Sequence, residues 1–197
     1  MATSKSAPTT AQQPARRAQP VRQTVTFELV QAHAPHAGLA ENLARTFGLD
    51  LVDYAAIREA TEEHVALSAR ALQPALNDKA MEIHLQRVVG SFVSSAYGAA
   101  QFYGTKVTQA RDLTVASQND DRDEDRGGGA GFVGKAERAR IFAAEMGLQA
   151  HALMAAAEGA VSAYAHLTGE DWKPYEPPSA PSAGARQSAA AELAAFG

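Results

Sequence analysis

The chain has 197 residues, enough for one domain with tails. Hydrophobic residues make up 46% but aromatics only 7%, because much of the apolar content is alanine, which favours helix and buries little area per residue. Cysteine is absent, which excludes disulfides, zinc–thiolate sites, iron–sulfur clusters and thiol nucleophiles, and the net charge of −4 hides a basic start and an acidic body.

Residues 1–23 are rich in Pro, Gln, Thr and Ala and read as a disordered tail. Lys5, Arg16, Arg17 and Arg22 sit there without an acid, whereas Glu28 to Trp172 holds 20 acids against 12 bases. The start has no apolar run of the kind a secretory signal needs. Thr24 to Val30 alternates, with Val25, Phe27 and Leu29 on one side and Thr26 and Glu28 on the other, which predicts a short β-arm.

Four helices are expected in the domain spanning 24–172. Ala37 to Phe47 reads as a short helix stopped by Gly48. Asp50 is positioned to cap a second, ending at Leu72 before Pro74, with Val52, Ala56, Ala60, Leu67 and Ala71 as its apolar face. A third starts at Asn77 or Asp78 and keeps a three-and-four spacing through Met81, Leu85, Val88, Phe92, Ala96, Ala99, Tyr103, Val107, Ala110 and Leu113. Gly98 and Gly104 are its expected kink points. The fourth runs from near Lys135 to a C-cap at Gly169, with Phe142, Met146, Leu153, Ala157, Ala160, Val161, Tyr164 and Leu167 buried. Residues 173–197 turn Pro, Ser and Ala-rich and read as a second disordered tail, with a short docking helix at Ala189 to Phe196. The expected fold is therefore all-α: an antiparallel helical hairpin or bundle dominated by two long C-terminal helices.

Three rows of small residues recur at every fourth position: Ala96, Ala100, Gly104; Ala139, Ala143, Gly147; and Ala155, Gly159, Ala163. Such rows let helix backbones approach closely, either within the chain or between copies, so they are the expected packing or oligomer interface.

Signatures of chemistry are nearly matched and then broken. Gly129 to Lys135 has the spacing of a phosphate-binding loop, but Ala136 stands where a Mg²⁺-binding Ser or Thr belongs and acids precede it. Asp121, Asp123 and Asp125 alternate as in a calcium loop, yet Arg126 and Phe132 occupy its required Gly and Glu positions. A di-iron bundle needs Glu-x-x-His, which the chain lacks. Of the histidines, His64 and His151 fall nearest apolar faces, where a hydrogen-bonded core role is the ordinary one. No catalytic, metal or cofactor residue is assigned. The longest uncharged run, Val88 to Thr105, carries serines and glycines and is expected as a buried helix, not a membrane span.

The sequence thus points to a non-enzymatic, self-associating helical scaffold or adaptor that binds a protein partner. The alternative is a nucleic-acid-associated accessory protein using Lys5, Arg16, Arg17 and Arg22, which an acidic body disfavours. A cysteine-free chain suits a reducing cytoplasm, and heavy use of alanine and arginine suits a GC-rich bacterial genome.

Overall fold

In the computed structural model, residues 24–32, 35–120 and 129–174 are described, and they are mostly helical with no strand among them. The described residues form five helices: α1 (Phe27–Ala32), α2 (Pro35–Thr46), α3 (Tyr54–Leu72), α4 (Asp78–Asp120) and α5 (Gly129–Thr168). The expected N-terminal tail, the C-terminal tail beyond Pro174 and the acidic loop from Asp121 lie outside the described residues.

The expected β-arm is instead α1. Thr24 to Thr26 leads in, and the Thr26 hydroxyl accepts from the Leu29 N–H at 3.4 Å. Phe27 and Val30, three apart, then share one face; Val30 is buried and Phe27 packs on the same cluster. A lone strand has no partner to satisfy its backbone, whereas a helical turn satisfies its own.

Local signals set the remaining boundaries. Gly48 adopts φ +65° just after α2. The cap of α3 is Asp53, not Asp50; its Oδ1 accepts from the Ala56 N–H at 3.0 Å. Asn77 caps α4 in the same way, accepting from the Ala80 N–H at 2.9 Å. Gly169, at φ +74°, ends α5, and its N–H reaches the Ala165 carbonyl at 2.8 Å. Helix α4 continues through Gly98 and Gly104, the expected kink points, for 43 residues, about 65 Å at the usual rise. Helix α5 starts at Gly129 rather than Lys135, so the glycine-rich stretch forms its first turns.

Helices α4 and α5 make the most extensive contact in the fold. They run antiparallel: Gln86 meets Tyr164 and Tyr103 meets Gly147, with the same number of residues separating the members of each pair on either helix. The seam follows a three-and-four alternation. On α4 it is built by buried Ala96, Ala100, Tyr103, Ala110 and Ser117, and on α5 by buried Ala136, Ala143, Gly147, Ala150, Met154, Ala157 and Tyr164. Helices α2 and α3 lie on other sides of α5, and α1 rests on α4. Trp172, past the end of α5, folds back so that its indole N–H donates to the Gln86 carbonyl at 3.3 Å.

The apolar face assigned to α3 is a second correction. Ala56, Ala60 and Ala71 are exposed, and Leu67 is 53% exposed; the buried positions are Val65 and Ala69. Alanines do not mark a face, because they are tolerated on either side of a helix. Helix α5 carries the same lesson, since Phe142 and Leu167, expected inside, are among the exposed large apolar residues. Val65→Ala should therefore cost about 2 kcal/mol, while Leu67→Ala changes stability by less than about 0.5 kcal/mol. Denaturant unfolding of the two variants checks this; equal losses would restore the alanine face.

Candidate interaction faces

Helix α5 is touched by three helices because it presents little side chain. A Cβ at Gly159 would collide with the backbone of Arg58 in α3. One at Gly147 would collide with Ala40 of α2 and lie 2.9 Å from the Tyr103 ring of α4. The small-residue rows thus fall in different places. Ala155, Gly159 and Ala163 are buried, with Gly159 against α3. Ala143 and Gly147 are buried, Gly147 where α2 and α4 converge, while Ala139 is half-buried beside Lys106 and Phe142. Ala96 and Ala100 belong to the α4–α5 seam, but Gly104 is half-buried, and a Cβ there meets nothing within 4 Å.

Polar bridges rim these approaches. The Tyr54 hydroxyl donates to Glu158 Oε2 at 2.7 Å, and Arg58 Nε lies 3.7 Å from Glu158 Oε1. Tyr54 also stacks at a tilt on His151, ring centroids 4.8 Å apart. His151 Nδ1 lies 3.4 Å from Glu41 Oε1, tying α5 to α2. Near the end of α5, His166 Nδ1 meets Glu62 Oε1 of α3 at 2.6 Å. Burial, and then the neighbouring Glu158 carboxylate, hold the Tyr54 phenol well above its ordinary value of 10.0. Burial alone pushes Tyr103 up to about 12. Tyr54 is therefore held as a protonated donor to Glu158, and Tyr103 as a protonated phenol packed against Gly147.

The other sequence candidates scatter. His64 is exposed, against expectation, and shares a shallow groove with His84, Leu85 and Phe92. Gly129 to Lys135 is helical, which leaves no loop to cradle a phosphate. No cluster of three or more His, Cys, Asp or Glu suited to a metal occurs among the described residues. Lys5, Arg16, Arg17 and Arg22, the basic arm, lie outside the described residues. A cleft of about 380 Å³ opens where the end of α3, the start of α4 and the end of α5 meet, lined by Arg70, Glu82, Leu85, Tyr164 and Leu167 among others. The Tyr54–Glu158–His151 group was missed in the sequence. Tyr54 and Arg58 are one turn apart, and His151 and Glu158 two turns apart, but nothing in a sequence says that those two helices meet there.

Two surfaces stay uncovered among the described residues. On the distal hairpin Phe102 and Phe142 are both exposed, with Lys106 Nζ 4.8 Å and 5.7 Å from their ring centroids. Along α4, the positions turned away from α5 hold no charge between Arg87 and Lys106. No helix among the described residues is long and apolar enough to cross a membrane. Comparison with known protein families, characterised proteins and solved structures finds no match.

Tyr54 and Tyr103 ionise harder in the folded chain than in the unfolded one. Their contribution to stability is thus complete below pH 10.0 and is lost as the pH rises through their folded values, about 12 for Tyr103. Ultraviolet phenolate titration should show these two of the five tyrosines ionising late, as the fold is lost. Tyr54→Phe and Tyr103→Phe should each remove part of the late step. A single step near 10 with the helices intact would contradict the assignment.

Proposed function

We propose that this chain is a non-enzymatic helical scaffold that self-associates as a helical bundle and docks a protein partner. The observation that carries the reading is the outer side of α4: 43 residues of helix pack along α5 on one side and leave an uncharged, exposed stretch with Phe102 on the other. A helix this long is seldom left bare along one side in a small monomer, and an exposed aromatic favours association. The polar side chains between the helices support the same reading, because Tyr54, His151, Glu158, His166 and Glu62 are engaged with one another.

The small rows take a divided role here. Ala143, Gly147, Ala155, Gly159, Ala163, Ala96 and Ala100 serve the chain's own packing, while Gly104 and Ala139, both half-buried, lie toward the free surfaces. The C-terminal tail, Arg186 to Gly197, is proposed as the partner-docking segment, and a cysteine-free chain of this kind suits a reducing cytoplasm.

A second reading rests on one observation, the acid-free run holding Lys5, Arg16, Arg17 and Arg22. Four phosphate contacts give weak, salt-sensitive, sequence-independent binding. Size-exclusion chromatography with light scattering and dual-wavelength absorbance separates the readings. The scaffold reading predicts a dimer or larger species free of nucleic acid, in the full chain and after deletion of residues 1–23. A monomer contradicts it. Bound nucleic acid that is lost with residues 1–23 would establish the second reading instead.

A further inference from the structure

The uncovered face of α4 has a charge pattern of its own. Arg87 and Asp112, both exposed, stand at its two ends, Arg87 in a groove with Val25 and Trp172 and Asp112 in one with Ala139 and Phe142 of α5, and neither has an ionic partner among the described residues. Between them Ser91, Ser95 and Gly98 are exposed, and Phe102 stands 47% exposed beside them. On a helical wheel Arg87, Ser91, Gly98, Phe102 and Asp112 fall within one stripe. Lys106 leaves that stripe, since its ammonium sits over the Phe102 and Phe142 rings toward α5.

Resting on the self-association proposed above, we infer that this face seats the α4 of a second copy, antiparallel, about a two-fold axis passing between Ala99 and Ala100. That register sets Arg87 opposite the partner's Asp112 and lays Phe102 over the partner's Ser95 and Gly98. Each contact is made twice, as a two-fold interface requires.

Three features select this occupant. Opposite charges at the two ends of one stripe complement each other only in an antiparallel pair, because a parallel pair would set Arg87 against the partner's Arg87. The uncharged middle lets two identical surfaces meet without like-charge repulsion. Gly98 also provides room that the chain's own fold does not use, since a Cβ there meets nothing within 4 Å. A phenylalanine ring above a glycine and a serine is the knob-and-hole arrangement that closely packed helices favour.

Sedimentation velocity on the full chain over a range of concentrations tests the inference. The wild type should be a dimer. Gly98→Arg should raise its dissociation constant by about 100-fold while the helical circular dichroism stays unchanged, because the substituted side chain has open space in the monomer. Arg87→Asp should raise it by about tenfold, by setting acid against acid at both ends, and Arg87→Asp with Asp112→Arg should restore it. A dimer indifferent to Gly98→Arg, or a double variant no tighter than the single, overturns this face and register while leaving self-association standing. A wild type that is monomeric at every concentration overturns both.

Discussion

Three helices reach α5 at once, and they can do so only because α5 lacks side chains at the crossings. Gly159 admits the α3 backbone at Arg58, and Gly147 admits both Ala40 and Tyr103. Buried alanines at 143, 150, 155, 157, 160 and 163 line the ground between. An alanine-rich helix gains little from the hydrophobic area of its own side chains. What it gains is proximity: backbones close enough for many small dispersion contacts, and a floor into which larger side chains from neighbours can settle. Tyr103, Val65, Val89 and Val93 are those larger groups, each almost wholly buried.

This arrangement explains where the polar groups sit. Tightly approached helices leave no space for ionic side chains at the crossing, so Tyr54, Arg58, Glu158, His151, Glu41, His166 and Glu62 gather at its rim. There the pairs remain partly solvated, as Glu158 and Glu62 do with side chains 36% and 29% exposed, and each fixes orientation more than it adds stability. It also explains why α4 has a free side. With α2 and α3 committed mainly to α5, α4 receives α1, the returning Trp172 and lesser contacts from α2 and α3 besides α5 itself. Its length is therefore supported mainly along one edge, and the middle of its opposite stripe is left small, uncharged and open.

The helical class, the two long C-terminal helices and the caps at Asn77, Gly48 and Gly169 were legible because each depends on neighbours within one turn. The buried spacing of α4 was legible too, since large residues such as Leu85 and Tyr103 mark its inner face. The sequence misled where alanine fills both faces, as at Ala56, Ala60 and Ala71 of α3, and where an exposed Phe142 mimics a core residue. It misled again at Thr24 to Val30, where alternation and a single helical turn share the same few residues. The meeting of Tyr54, His151 and Glu158 depends on the angle at which α3 crosses α5, which no local pattern encodes. The basic arm and the acidic loop lie outside the described residues, so their readings remain those of the sequence.

The claim that α5 is organised by missing side chains is tested most directly by thermal unfolding of two alanine variants of the full chain, Gly159→Ala and Gly38→Ala. Both sites are helical, and alanine should gain about 0.5–1 kcal/mol over glycine from helix propensity alone. A Cβ at Gly38 meets nothing within 4 Å, whereas one at Gly159 runs into the carbonyl of Arg58. Gly38→Ala should therefore raise the melting temperature and Gly159→Ala should lower it. If both variants were stabilised alike, α3 would not lie on α5 at Gly159, and the close approach on which this fold depends would be refuted.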